Sequence, residues 1–342
     1  MSAAITTHQL TRRFGDATAV DGLDLEIAHG EIYGFLGPNG AGKSTTVRML
    51  CTLLGPSRGS ATIVGHDLVT APDQVRLSIG AALQEAALDP RQTGTELLRL
   101  QGRLYGLTPR EIDVRVGELA ALIDLGDALE RPIDTYSGGM RRRLDLAVAL
   151  VHNPGVLFLD EPTTGLDPVS RARVWEEVER LNRELGMTIL LTTQYLEEAD
   201  ALAERVGIID DGRLVAEGTP DELKRGIADD MIVARVDGDI DDARRAVARI
   251  DGVRHIDAAA GELTISVADG PAGIGPVAIA LDRAAVPLLD LTLRTPTLDD
   301  VFLELTGARI ERRDGRPATT ATDEPMSEPL APPVRQPEEV LR

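Results

Sequence analysis

The sequence has one cysteine, two lysines and few aromatic residues. Cys51 alone excludes an intramolecular disulfide, which suits a reducing compartment. It sits among apolar residues, where a cysteine acts as a small core side chain. Aromatic residues make up 3% of the chain, so the core must be built from Ala, Val, Leu and Ile. No window approaches the ~20 apolar residues needed to span a bilayer. No signal-peptide pattern is read at the N-terminus, and any membrane role is expected through a partner. Acidic residues outnumber basic ones, 56 to 36. The net charge is −20, which argues against nucleic acid as the main partner, because such binding rests on neutralising phosphates. His8, His29, His66, His152 and His255 are too scattered to show a metal-ligand spacing. Lys43 and Lys224 are the only lysines, which makes Lys43 stand out.

What is present begins with Gly37-Pro38-Asn39-Gly40-Ala41-Gly42-Lys43-Ser44-Thr45. The stretch fits G-x-x-x-x-G-K-[S/T], the phosphate loop of nucleotide-binding proteins. Residues 31–36 before it read as a short buried strand. Residues 45–54 after it read as a helix stopped near Gly55-Pro56. Gly40 and Gly42 let the backbone turn its N–H groups onto phosphate oxygens, and the helix adds its positive dipole end. Lys43 can reach the β- and γ-phosphates, and the Ser44 hydroxyl can ligate Mg²⁺. The alternative is a chance glycine-rich turn with a surface lysine; the strand before and the helix after weigh against it.

The 342 residues allow about two domains plus extras. Residues 3–36, 60–66 and 78–83 carry strand patterns, and the last of these delivers Gln84. Residues 89–152 are helical in pattern and form an insert between two halves of an α/β sheet domain. Thr108-Pro109-Arg110-Glu111 supplies an N-cap, a first-turn proline and a capping-box acid. Strands and helices alternate from residue 156 to 222, which implies a largely parallel sheet. A second module follows over residues 228–308; its βαββαβ order suggests a small ferredoxin-like sandwich. Residues 309–342 are rich in Pro, Thr, Ala and Glu and are expected to be disordered.

Three further stretches carry chemistry. Val156-Leu157-Phe158-Leu159-Asp160-Glu161 is an apolar strand ending in two carboxylates. Asp160 can hold a hydrated Mg²⁺. Glu161 can polarise a water for in-line attack on a γ-phosphate. Two solvated acids at a strand end are the plainer alternative. Tyr136-Ser137-Gly138-Gly139-Met140 precedes a helix that Ser137 can cap, and the glycines bare N–H groups for a second anion. Alone, it reads as an ordinary Ser-Gly-Gly turn. Arg141, Arg142 and Arg143 follow, and in so acidic a chain they are expected on a solvated helix face. Gln194 follows the strand at residues 188–192, where an amide N–H can point at a γ-phosphate.

In this order, the residues resemble the ATP-binding subunit of an ABC transporter, over roughly residues 5–225. Gly37 to Thr45 looks like Walker A, Ser137-Gly138-Gly139-Met140-Arg141 like the ABC signature, and Leu157 to Glu161 like Walker B with its catalytic Glu. The resemblance implies that Gln84 touches Mg²⁺ and the membrane partner, that Gly165-Leu166-Asp167 is the D-loop, and that Phe14 stacks on adenine. The implied fold is an α/β P-loop NTPase with a helical insert, here followed by a small α+β C-terminal module. The implied assembly is a head-to-tail homodimer with two ATPs, each between one chain's Walker A and the other's Ser137-Gly138-Gly139. The implied location is the cytoplasmic face of the membrane, docked on a separate integral membrane permease.

One departure stands out. The family places a switch histidine where this chain has Gln194-Tyr195. That run, the C-terminal module and Leu298-Asp299-Asp300-Val301-Phe302 look similar to the daunorubicin-resistance type of exporter subunit, and Phe302 is expected to matter for subunit association. The expected function is ATP hydrolysis that drives export of a drug-like or lipid-like molecule. The rivals are a soluble ABC-type ATPase acting on ribosomes or DNA, and a nucleotide-dependent regulator. A single cassette and the absence of heptad runs weigh against the first.

Overall fold

The computed structural model describes residues 3–83, 88–227, 229–259 and 261–307. Gln84, expected at Mg²⁺, and the expected tail at residues 309–342 lie outside the described residues.

The chain opens with strands β1 (Ala3–Phe14) and β2 (Ala17–Ala28). Short strands are expected here; each instead runs 12 residues, with register shifts that bend the pair. The all-buried β3 (Ile32–Leu36) leads into helix α1 (Lys43–Leu50). That helix ends at Leu50 rather than Leu54, because Thr52 turns left-handed (φ 58°) and leaves Leu53 exposed. Next come β4 (Arg58–Ile63), β5 (His66–Asp67), α2 (Pro72–Ser78) and β6 (Ile79–Ala82). The helical insert holds α3 (Gly94–Leu104), α4 (Pro109–Ile123) and α5 (Gly138–Leu150). Thr108 and Glu111 close the expected capping box on α4. The chain then alternates through β7 (Val156–Asp160), α6 (Pro168–Leu185), β8 (Thr188–Thr193), α7 (Leu196–Leu202), β9 (Arg205–Asp210), β10 (Arg213–Gly218) and α8 (Pro220–Ile227). Last are β11 (Asp230–Val236), α9 (Ile240–Val247), β12 (Val253–Ala259), β13 (Glu262–Val267), α10 (Gly270–Arg283), β14 (Leu288–Arg294) and α11 (Leu298–Thr306).

These strands make three sheets. The first is antiparallel, in the order β2-β1-β4-β5. The second runs β10-β9-β3-β8-β7-β6 and is parallel from β9 to β6. Its strands β3, β7 and β8 are buried along their whole length, the pattern of a parallel sheet covered on both faces. The third runs β12-β13-β11-β14, all antiparallel.

Register decides where chemistry can gather. Leu36 pairs with Thr193, and Thr192 pairs with Asp160. The loop after β3, Gln194 after β8 and Glu161 after β7 therefore leave three neighbouring strands at the same carboxyl edge. Ligands of open α/β sheets bind along that edge.

The scarcity of aromatics shows in the interior, where Tyr33, Phe35, Phe158 and Phe302 are the largest side chains fully buried among the described residues. The third sheet has its own core of Ile232, Ala234, Leu263, Ile265, Val277 and Leu281. Helix α11 then leaves that sheet. Its Leu298, Val301 and Phe302 bury against Leu36, Leu196, Ala199, Val206 and Ile208 of the nucleotide-loop sheet and α7. Phe302 is 1% exposed, packed within its own chain. Among the described residues no helix is long and apolar enough to cross a membrane.

Candidate active site

The loop from Gly37 to Gly42 is shaped by two close approaches. A Cβ on Gly37 would lie 2.4 Å from the Ile209 carbonyl oxygen, and one on Gly42 2.4 Å from that of Ala19. Gly42 also holds φ 107°, a conformation that L side chains rarely adopt, as it starts α1. Pro38, Asn39, Gly40 and Ala41 complete the loop, with Ala41 N–H on Pro38 O (3.2 Å) and Ala41 O accepting from Gly212 N–H (3.0 Å). Thr45 lies in the first turn of α1.

Lys43 is 5% exposed, and its Nζ donates to Gly37 O (2.7 Å) and Pro38 O (3.1 Å). The ammonium thus folds back over its own loop, against the carbonyls that flank a phosphate cradle. Burial pulls its pKa below the ordinary lysine range, and the nearby Glu161 and Asp160 carboxylates oppose that.

Asp160, 4% exposed, ends β7. Its Oδ1 accepts from Ser44 Oγ (3.3 Å) and from Thr192 Oγ1. Two hard oxygens, Ser44 Oγ and Asp160 Oδ1, therefore converge beside the loop. Mg²⁺ takes one or two protein oxygens and fills its other positions with phosphate and water, so this pair fits it.

Glu161 adopts φ 50°, uncommon for a residue with a side chain. The turn aims its N–H at Thr192 O (3.0 Å) and Thr192 Oγ1 (3.2 Å). Its carboxylate accepts from Gln194 Nε2 (2.5 Å) on Oε1 and from Thr164 Oγ1 (3.2 Å) on Oε2. Lys43, Ser44, Asp160, Glu161 and Gln194 are thus brought together. Gln194 reaches the glutamate, a contact the sequence reading did not foresee.

The other expected residues stand where their elements put them. Ser137 caps α5, its Oγ accepting from Met140 N–H (3.2 Å), and Ser137 and Gly138 are exposed with Gly139 half-buried. Phe14 ends β1, 48% exposed, with the Arg12 guanidinium 4.6 Å from its ring centre. Asp167 caps α6 through Val169 N–H (3.1 Å) and Ser170 N–H (3.0 Å).

Arg142 and Arg143 depart from the expected solvated helix face, whereas Arg141 is exposed as expected. Arg141 donates to Asp134 O (3.0 Å). Arg143 donates to Ile123 O (2.8 Å) and Asp124 O (2.9 Å) at the end of α4. Arg142 is turned inward and pairs with Asp145 at 3.1 Å. Backbone carbonyls at strand and helix ends accept from the Arg142 and Arg143 guanidinium groups, where a solvated side chain would meet water. Thr192 was also missed; its signal was a polar residue closing the apolar strand Ile189-Leu190-Leu191.

A family profile described as ABC transporter matches residues 20–164. Over 306 residues the chain is 49% identical to the daunorubicin resistance ATP-binding protein DrrA3 of Streptomyces coeruleorubidus, covering 89% of this chain and 96% of that protein. The chain belongs to the ABC transporter family. Within it, the linearmycin resistance ATP-binding protein LnrL of Bacillus subtilis is 36% identical over 308 residues, 89% of this chain and 98% of that one. Among solved structures, cbiO1 of Clostridium perfringens, part of an ABC transporter complex, superposes with TM-score 0.61 at 27% identity. That match covers 65% of this chain and 91% of cbiO1. A cassette solved as a post-hydrolysis dimer with ADP and Pi gives TM-score 0.57 at 25% identity, over 63% of this chain and 98% of its own. This ABC chain is a nucleotide-binding ATPase, the ATP-binding subunit of an exporter.

Proposed function

We propose that this chain powers a separate integral membrane permease from the cytoplasmic face, as a head-to-tail homodimer, to expel a drug-like or lipid-like molecule. Relatives named for resistance to daunorubicin, doxorubicin and linearmycin, and for Nod factor export, support that class of cargo. On this reading residues 1–227 form the ATP-binding domain, 228–308 a C-terminal module and 309–342 a tail.

The observation that carries the mechanism is the Gln194–Glu161 hydrogen bond beside Lys43, Ser44 and Asp160. Gly37, Pro38, Asn39, Gly40, Ala41 and Gly42 wrap the phosphates, with Phe14 against the adenine. Lys43 leaves its loop carbonyls for the β- and γ-phosphates. Ser44 and Asp160, with Gln84, would hold Mg²⁺, which would supply positive charge to offset the phosphates. Glu161 takes the proton of the attacking water. Gln194 orients the carboxylate for that step. Ser137, Gly138 and Gly139 of the partner copy close over the γ-phosphate with a helix N-terminus.

Glu161→Gln tests the reading. It should lower kcat by about a hundredfold or more while ATP still binds, since general-base loss costs ~10²–10⁴. With ATP the variant should sediment as a dimer. Turnover near wild type would remove Glu161 as the base. Purification from membranes with ribosomes, and without any polytopic protein, would remove the transport role.

A further inference from the structure

We propose that Arg142 is a positioning residue that ties the strand ends carrying the nucleotide chemistry to the helix that starts with Ser137-Gly138-Gly139. The inference rests on the reading above. Arg142 lies in the second turn of α5, and its side chain is 14% exposed. Its Nε donates to Pro162 O (2.9 Å). Its Nη1 donates to Leu83 O (3.1 Å) and to Asp145 Oδ2 (3.1 Å). Its Nη2 lies in reach of Ala82 O (3.3 Å) and Asp160 O (3.4 Å).

The carbonyls it collects are not scattered. Asp160 and Pro162 flank Glu161 in the chain. Ala82 ends β6, and Leu83 immediately precedes Gln84. One planar guanidinium therefore holds the backbone on both sides of Glu161, together with the strand end that leads to Gln84. It does so from the same helix whose cap is exposed for the partner's nucleotide. A movement of α5 must carry these carbonyls with it or break their hydrogen bonds. Asp145, 11% exposed and one turn further along α5, supplies the counter-charge that keeps a buried guanidinium tolerable. Arg142 touches no reacting atom in this arrangement. It acts through the placement of Glu161.

Lysine cannot reproduce the contact. Its ammonium has three donors on a point, whereas the guanidinium spreads five N–H groups in a plane. Arg142→Lys is made in the full-length chain, and kcat, KM, ATP binding and the melting midpoint are measured together. The expected result is a fall in kcat of ~10- to 100-fold, the scale for displacing a catalytic group by about 1 Å. KM and ATP affinity should stay within about threefold, because the phosphate loop is untouched. A folded Lys variant with kcat within about twofold of wild type overturns the proposal. So does a kcat loss that disappears when the assay is run well below the melting midpoint, which marks a purely structural role. Should the Lys variant fail to fold, Asp145→Asn takes its place. It leaves the carbonyl contacts but removes the anion that holds Nη1, and kcat should fall with KM unchanged; unchanged kcat there overturns the proposal. Glu161→Gln is assayed alongside. Wild-type turnover in that variant refutes the base assignment, whereas an inactive Glu161→Gln beside a fully active Arg142→Lys refutes only the positioning role.

Discussion

At the scale of single residues, the amide at position 194 donates to Glu161 and does not titrate between pH 5 and 8, as a histidine there would. Removing that donor in Gln194→Ala should lower kcat by ~10- to 1000-fold while ATP binding changes much less. Gln194→His can still donate through a ring N–H; it should keep substantial activity and add a pH-dependent limb near about 6.5. Steady-state ATPase assays of the three proteins across that range separate the cases, and an Ala variant as fast as wild type leaves Gln194 a bystander. A second residue predicts pH-dependent stability. Glu177 on α6 is 7% exposed, and burial pushes its pKa up to about 7 while Arg143 and Arg180 pull the other way. Its folded value lies above its unfolded one, so its stabilising contribution is complete below about pH 4.3 and is lost as pH rises through about 7. Glu177→Gln mimics the protonated form. It should raise Tm at pH 8 by ~2–5 °C and change it little at pH 5. Melts at the two pH values check this; equal shifts at both would point to packing.

At the scale of elements, α11 is the segment whose role the structure redirects. A Thr297–Asp300 capping box starts it, and its apolar face of Leu298, Val301 and Phe302 meets α7 and β9. Truncating a buried phenylalanine to alanine costs about 3–5 kcal/mol through lost transfer energy and the cavity left behind. Phe302→Ala should therefore lower Tm by several degrees. Assayed well below its midpoint, the variant should still co-purify with the proposed permease. Lost association in a fully folded variant would restore Phe302 to an interface. Helix α5 is redirected in a similar way. Its Gly138 and Arg141 are exposed, while Arg142 and Arg143 look inward to strand and helix ends.

At the scale of the whole molecule, a composite site would explain why Ser137 and Gly138 are presented at the surface. Two inactive variants then become informative. Lys43→Ala removes the loop cation, and a bulky Ser137→Phe blocks the helix cap. Mixed in equal amounts, they should form heterodimers with one intact site, restoring up to about a quarter of wild-type activity under random isologous pairing. ATPase assays before and after mixing measure it. No recovery in a mixture shown to contain heterodimers would place both halves of the site on one chain.

The phosphate loop, the capping boxes and the apolar strand ending in Asp160-Glu161 were determined by the sequence alone. Each works through consecutive residues: a run of N–H groups, a cap three residues from its partner, a strand and the residue after it. The tertiary structure decided what these pieces meet. The strand order β3-β8-β7 places Thr192 and Gln194 beside Asp160 and Glu161, which lie more than thirty positions away in the chain. It turns Arg142 from an expected surface charge into a clamp and buries Phe302 beneath α7. The physical reason is common to all three. Whether a side chain is solvated or drawn inward depends on which carbonyls, carboxylates and apolar faces the packing of distant segments leaves without partners.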